Sequence, residues 1–289
     1  MNRRRVMEVA AAALGAVFAP RFAGAADPVR QAQTLRWGVD YSATTDPVLA
    51  RQFDLLVLEP HHARAIAPLR APGATLLGYI SLGEVERGRP YVDALATAGA
   101  LSAANPNWPD ARLVDLRRRE WTDLVLDRLI PDILRLGYDG IFIDTMDNAE
   151  ALEREDPVGN AGMVAAGVTL LRAIRARFPA IRIMLNRGYA VVPGAAGAFD
   201  ILLGEAVASR WSFVDKRYEL TSASDWAWQL DRLQAAKRAD PSLTLASLDY
   251  WDPQDRRQVA ALYERARAAG VSPYVATLAL DRLLPERRP

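Results

Sequence analysis

From Leu35 onward, short apolar segments rich in Val, Ile and Leu alternate with longer segments of helical periodicity. This alternation is typical of βα units built around a parallel sheet. The apolar segments are nearly continuous, as expected for strands covered by helices on one face and packed into an interior on the other. Eight candidate strands are found: Leu35 to Asp40, Asp54 to Glu59, Thr75 to Ser81, Gly140 to Asp144, Ile181 to Asn186, Asp200 to Gly204, Leu243 to Asp249 and Pro273 to Thr277.

Eight strands followed by helical segments predict an α/β fold, a single-domain (β/α)8 TIM barrel, and residues 35–289 provide about the usual length for it. The alternative is a doubly wound open sheet. Such a sheet normally has fewer strands, and no glycine-rich dinucleotide or phosphate loop follows the first candidate strand here. The barrel is therefore the favoured fold.

The helical segments have apolar residues three or four positions apart. Pro131 predicts a kink or break in the first of the clear helices. The segments after strands five and eight are short, so one or two barrel helices are expected to be reduced or missing. We interpret Gly88 to Asp110, which contains three prolines, as a long loop. The clearest helices run from Glu120 to Leu136, Gly162 to Phe178, Ser224 to Ala239 and Asp255 to Ala268.

The first 25 residues have the pattern of a secretory signal peptide. Arg3, Arg4 and Arg5 precede an apolar stretch from residue 6 to residue 18, and small residues follow at 23–25. The paired arginines resemble a twin-arginine signal, although Glu8 is unusual in one. The apolar stretch is shorter than the roughly 20 residues that span a bilayer. We expect a signal peptide over 1–25, a lead-in over 26–34, and a periplasmic or secreted product without stable membrane insertion.

The composition excludes several classes of site. The chain has no cysteine, which rules out a disulfide framework, a thiolate metal site and a cysteine nucleophile. Cleavage after Ala25 would remove four arginines and one glutamate, so the net charge would fall from +1 to −2. A nearly neutral body argues against nucleic acid as the main partner.

Polar residues, most of them acidic, stand at the ends of the candidate strands. In a (β/α)8 barrel the active site lies at the C-terminal ends of the strands. A single residue of this kind often caps a helix or pairs with an arginine. A group of like charges in one cleft is different, because they repel and are retained mainly where chemistry or a cationic ligand needs them. These residues are Asp40, Tyr41, Glu59, Ser81, Glu84, Asp144, Asn186, Glu205, Asp249 and Tyr250.

Asp144 and Glu205 are the predicted catalytic pair. Most glycosidases use two carboxyl groups, one to protonate the leaving oxygen and one to attack the anomeric carbon or activate water. Each of the two follows an apolar strand, at whose tip a carboxylate must emerge into a cleft or be paired. The structural alternative makes Asp144 a helix cap and Glu205 an ion-pair partner of Arg187 or Arg210.

Several segments together resemble glycoside hydrolase family 114, the endo-α-1,4-polygalactosaminidase-like TIM barrels. The segments are 37–41, 78–84, 137–144, 186–188, Glu205 and 249–250. The resemblance implies that Asp144 and Glu205 are catalytic, that the enzyme hydrolyses α-1,4 linkages without a cofactor, and that its partner is a galactosamine-rich, partly cationic polysaccharide. Our hypothesis for the roles is Asp144 as nucleophile and Glu205 as acid/base in a retaining mechanism.

Acidic and aromatic side chains near the pair suit a cationic sugar, through charge attraction and stacking. Trp211 and Trp251 are further stacking candidates, whereas Trp226 and Trp228, within a helix pattern, are expected to be core. The candidate substrate-binding residues are Asp40, Tyr41, Tyr79, Ser81, Glu84, Asp147, Asn186, Tyr189, Asp249 and Tyr250.

The sequence carries only weak signals of a metal site or of another activity. His61 and His62 are adjacent, and without further ligands at suitable spacing they indicate surface residues and no metal site. The family 18 chitinase signature would need Asp at 142 and Glu at 146, where Phe142 and Met146 stand. A non-catalytic carbohydrate-binding barrel and a hydrolase of another glycan stay open.

Overall fold

The computed structural model describes residues 34–62, 65–104 and 109–286. These residues fall within one compact unit, Thr34–Pro289. The expected signal peptide, and the expected lead-in except Thr34, lie outside the described residues. In the part of the chain that is described, no helix combines the length and apolar character needed to cross a membrane.

Eight parallel strands form a nearly closed barrel, and their order around it follows their order in the chain. The (β/α)8 barrel predicted from the sequence is therefore confirmed, and each strand lies within two residues of its predicted bounds. The strands are β1 Trp37–Asp40, β2 Leu55–Leu58, β3 Thr75–Ser81, β4 Gly140–Asp144, β5 Arg182–Asn186, β6 Ile201–Glu205, β7 Thr244–Tyr250 and β8 Ser272–Ala276.

Hydrogen bonds join the first and last strands and the residues next to them. The Trp37 indole donates to the Ser272 carbonyl at 2.9 Å, and the Leu35 N–H donates to the Ser272 hydroxyl at 3.2 Å. Beyond the strand ends, the Tyr41 N–H donates to the Leu280 carbonyl at 2.7 Å. These contacts bring the end of β1 to the same rim as the ends of the other strands.

Helices surround the barrel, and the one containing Pro131 is interrupted. A π-helical turn over Val125–Leu129 separates two α-helical pieces. Proline has no N–H to donate to the preceding turn, which explains the break predicted there. The helices are α1 Pro47–Ala50, α2 Val92–Thr97, α3 Arg119–Leu124, α4 Ile130–Arg135, α5 Asn148–Glu155, α6 Met163–Arg177, α7 Ala223–Ala239 and α8 Arg256–Ala268.

The segment interpreted as a long loop, 88–110, is more ordered than predicted. It contains α2 and the strand Leu101–Ala104, which joins Glu84–Glu86 and Ala111–Val114 in a three-stranded antiparallel sheet. Strands this short do not give a clear two-residue alternation. As expected, residues 187–200 and 277–286 contain no helix.

A hairpin that the sequence did not reveal follows β6. It pairs Ser209–Ser212 with Arg217–Leu220 in antiparallel register. The hairpin therefore emerges from the C-terminal rim of the barrel, four residues beyond Glu205.

Candidate active site

Asp144 ends β4, Asn186 ends β5 and Glu205 ends β6, so three neighbouring strands deliver three polar side chains to one rim. The Asn186 Nδ2 donates to Asp144 Oδ1 at 2.9 Å and to Glu205 Oε2 at 2.6 Å. The two carboxyl oxygens that accept hydrogen bonds from this nitrogen can be no farther apart than the sum of the two distances, which is about 5.5 Å. The structure thus brings Asp144 and Glu205, hereafter the carboxyl pair, close together.

Each remaining oxygen of the carboxyl pair accepts a tyrosine hydroxyl. Tyr79 on β3 donates to Asp144 Oδ2 at 3.0 Å, and Tyr250 at the end of β7 donates to Glu205 Oε1 at 2.6 Å. The Thr145 N–H also donates to Asp144 Oδ1, at 2.8 Å. Asp144 therefore accepts three hydrogen bonds and Glu205 accepts two.

The pKa of Asp144 is raised to about 6, mainly by burial and next by the negative charge of Glu205, whereas the hydrogen bonds from Asn186, Thr145 and Tyr79 oppose the rise. Two carboxyl groups this close affect each other's ionisation, so this pKa describes the pair and not Asp144 alone. Burial, followed by the charge of Glu205, also raises the pKa of Tyr250, which keeps its phenol protonated and able to donate.

Tyr41 lies beside this group. Its ring centroid is 5.0 Å from that of Tyr79, in an edge-on arrangement. Burial raises the pKa of Tyr41, and the charges of Asp144, Glu205 and Glu59 add to this effect. Glu59, which follows β2, is therefore within electrostatic reach of the same rim.

Ser81 and Thr145 tie the ends of β3 and β4 together. Their hydroxyls are 2.8 Å apart, and the Ser81 hydroxyl also donates to the Glu84 carbonyl at 2.8 Å. A Cβ on Gly83 would lie 2.0 Å from the Thr145 carbonyl oxygen, so only glycine allows this close approach. The contacts of Ser81 are thus with the protein backbone and with Thr145.

Two further acidic residues stand near the rim. The Asn148 amide donates to Glu84 Oε2 at 3.4 Å, and Asp147 lies 3.7 Å from the Arg187 guanidinium. Arg187 therefore pairs with Asp147.

The structural alternatives for the carboxyl pair do not hold. Arg210 pairs with Glu219 at 2.8 Å and not with Glu205. The N-terminal boundary of α5 is Asp147 rather than Asp144.

Asp249 does not join the group around the carboxyl pair. It is fully buried and accepts the backbone N–H groups of Ala208 and Ser209 at 2.6 and 2.9 Å. Burial raises its pKa to about 6, against those two hydrogen bonds. Successive strand residues face opposite sides, so when Tyr250 points towards Glu205 its neighbour Asp249 points away. Asp40 is also buried and accepts the Ser42 N–H at 2.8 Å.

Tyr189 supports the backbone of Glu205 through Gln229. The Tyr189 hydroxyl donates to Gln229 Oε1 at 3.0 Å, and Gln229 Nε2 donates to the carbonyls of Glu205 and Ala206 at 3.2 and 2.9 Å. The Tyr189 oxygen would be 3.1 Å from a Cβ on Gly204, so this glycine makes room for it. Sequence reasoning missed Gln229, because its position on α7 carries no signal of this contact.

One prediction about the tryptophans is wrong. Trp228 was expected to be core, but 48% of its surface is exposed. Its ring packs edge-on against Tyr189, with centroids 5.6 Å apart. Within the ranges that the structure describes, no three His, Cys, Asp or Glu side chains gather in a way that could hold a metal ion.

A (β/α)8 barrel with two carboxyl groups this close at the C-terminal ends of its strands has the machinery of a glycoside hydrolase. Comparison with known proteins agrees with that class. The model of glycoside-hydrolase family GH114 matches residues 19–287, and the chain belongs to this family. The family resemblance found in the sequence, and the enzyme class that it implied, are confirmed.

Solved structures and one curated relative are similar over most of the chain. The glycoside hydrolase domain of PelA from Pseudomonas aeruginosa has a TM-score of 0.74 and 27% identity, covering 85% of this chain and 96% of that chain. Aspergillus fumigatus Ega3, solved in complex with galactosamine, shares the fold with a TM-score of 0.63 and 17% identity, covering 86% and 93%. An uncharacterized protein of Deinococcus radiodurans is 30% identical over 271 residues, 86% of this chain and 82% of that protein.

Proposed function

We propose that this protein is an exported hydrolase that cleaves α-1,4 linkages in a galactosamine-rich polysaccharide, with Asp144 and Glu205 as its catalytic groups. The observation that carries the proposal is the carboxyl pair itself, bridged by one amide nitrogen. Export rests on the signal-peptide pattern of residues 1–25.

The substrate class rests on charge and on similarity. Free galactosamine units are cationic near neutral pH, and carboxylates at Glu59 and Glu84 would attract them to the rim. Tyr41, at the same rim, offers an aromatic ring to a sugar face or an ammonium group. Ega3, which shares the fold, was solved with galactosamine bound.

The spacing of the pair favours a retaining mechanism. Retaining glycosidases hold their carboxyl groups roughly 5 to 5.5 Å apart, whereas inverting ones need about 6.5 to 9.5 Å to admit a water. The limit of about 5.5 Å set by Asn186 fits the first case. For the roles we keep the hypothesis of Asp144 as nucleophile and Glu205 as acid/base, and the pKa of about 6 means that the pair holds one proton below that pH.

In this mechanism Asp144 attacks the anomeric carbon while Glu205 transfers its proton to the departing glycosidic oxygen. A covalent ester to Asp144 results, and the negative charge of Asp144 is gone. Glu205, now ionised and no longer facing a like charge, takes a proton from water. That water attacks the anomeric carbon, releases Asp144 as carboxylate, and gives a product with the original anomeric configuration.

Azide rescue assigns the two roles. With an aryl α-galactosaminide, whose phenolate leaves without acid help, Asp144→Ala and Glu205→Ala are each assayed with and without azide. In Asp144→Ala, azide would replace the nucleophile and yield the β-azide; in Glu205→Ala, it would open the covalent ester and yield the α-azide. Reversed configurations would exchange the roles, and rescue of neither variant, with wild-type activity intact, would contradict covalent catalysis by this pair.

A further inference from the structure

Asn186 has an unusual hydrogen-bonding pattern. Both N–H groups of its amide are used on the carboxyl pair, while its Oδ1 is buried and accepts no hydrogen bond from any described residue. A buried acceptor without a donor costs stability, and an apolar residue of similar shape would avoid that cost. Only 5% of the Asn186 surface is exposed. The residue therefore has no free donor for a sugar hydroxyl, and its functional contacts are the two hydrogen bonds from its nitrogen to the carboxyl pair.

The backbone adopts the same left-handed conformation directly after all three strand ends. Thr145, Arg187 and Ala206 directly follow Asp144, Asn186 and Glu205, and have φ values of 65°, 50° and 53°. Residues other than glycine rarely adopt positive φ, and such strain persists only where the surroundings enforce it.

Two of these turns are fastened to the next strand along the sheet. The Arg187 N–H donates to the Leu203 carbonyl on β6, and the Ala206 N–H donates to the Leu248 carbonyl on β7, both at 2.8 Å. The left-handed turns thus leave three consecutive strands with their last side chains next to one another at the rim.

We infer that Asn186 is a positioning residue. Its amide nitrogen sets the spacing of the carboxyl pair and, by donating to both groups, stabilises their ionised forms. This inference rests on the proposed function and replaces the substrate-binding role expected from the sequence. Asn186 acts through Asp144 and Glu205 and does not touch the sugar.

The role has a consequence that a merely structural residue would not produce. Hydrogen bonds to a carboxylate favour its ionised form, so removing the Asn186 donors raises the pKa of both members of the pair. The other titratable groups around the pair, Tyr41, Tyr79, Tyr250 and Glu59, are unchanged by the substitution. Both limbs of the pH profile of kcat/KM should therefore move to higher pH.

The test compares Asn186→Leu with Asn148→Leu, since Asn148 is also a rim amide that donates to a carboxylate, but to Glu84. We expect both limbs of the Asn186→Leu profile to shift upward by about one to two pH units, and those of Asn148→Leu to stay in place. If Asn186→Leu does not fold, Asn186→Ala removes the same nitrogen. Unchanged limbs with a uniformly lower rate, or a change confined to KM, would overturn the inference.

A second readout does not depend on activity. The carboxyl carbons of Asp144 and Glu205 are titrated by carbon-13 NMR in the wild type and in Asn186→Leu. The inference predicts higher midpoints in the variant, and equal midpoints would refute it. If the wild type hydrolyses no galactosamine polymer, the proposed function fails on its own, while the NMR titration still decides the role of Asn186.

Discussion

Glu205→Gln should abolish hydrolysis and yet make the protein more stable at neutral pH. At about 5.5 Å and an effective dielectric constant of about 20, two like charges repel by about 3 kcal/mol. The variant removes this repulsion from Asp144, although its amide would face the Asn186 nitrogen and lose one hydrogen bond, at about 1 kcal/mol. The net gain in the free energy of unfolding at pH 7 is therefore about 2 kcal/mol.

The gain should depend on pH with a definite sign. Asp144 has a pKa of about 6 in the folded protein, above its ordinary value, so the folded state binds this proton more tightly than the unfolded state. Protonation of Asp144 therefore stabilises the folded wild type at pH values below the pKa of the unfolded state. This stability is lost as the pH rises through the pKa of the folded state. In Glu205→Gln this loss between about pH 4 and pH 6 should be reduced, because Asp144 no longer faces a charge.

The assay is thermal unfolding of both proteins from pH 4 to pH 8. About 2 kcal/mol in a chain of this size corresponds to a rise in Tm of about 4 to 8 °C at pH 7, falling towards zero at pH 4. Asp147→Asn is the control, since Asp147 faces the Arg187 cation and its removal should give no gain. A Glu205→Gln variant that is less stable at pH 7, or equally stabilised at every pH, would refute the reasoning.

Two further substitutions test the supports of the site. Tyr250→Phe removes the 2.6 Å hydrogen bond to Glu205, and should lower kcat by about 10- to 100-fold with a smaller change in KM; an unchanged kcat would mean that this phenol does not matter. Gly83→Ala would place a methyl group 2.0 Å from the Thr145 carbonyl oxygen, and should lower the free energy of unfolding by about 2 kcal/mol or more, measured by urea denaturation; a neutral result would show that the loop yields easily.

The barrel and the carboxyl pair could be predicted from the sequence for clear physical reasons. Parallel barrel strands are buried on both faces, so they appear as continuous apolar runs, and all four residues of β2 are indeed buried. Consecutive strands are also neighbours in a barrel. Asp144, Asn186 and Glu205 end three such strands, and they meet at one rim.

Other features depend on which way a side chain points or on contacts distant in sequence. Asp249 and Tyr250 are adjacent in one strand, so only one of them can point towards the carboxyl pair, but the sequence does not say which. Gln229 reaches the Glu205 carbonyl only because α7 packs against β6. Trp228 fits a helix pattern in sequence, yet it lies on the exposed side of α7. The bridging role of Asn186 depends on distances to two strands, which no spacing encodes.

The most direct test of the carboxyl pair is digestion of a de-N-acetylated α-1,4-galactosamine polymer, with the soluble products read by mass spectrometry. The wild type should release oligosaccharides, whereas Asp144→Asn and Glu205→Gln should release none above background while still binding the polymer. Release by either variant at a rate near that of the wild type would contradict the account, and so would an inactive wild type.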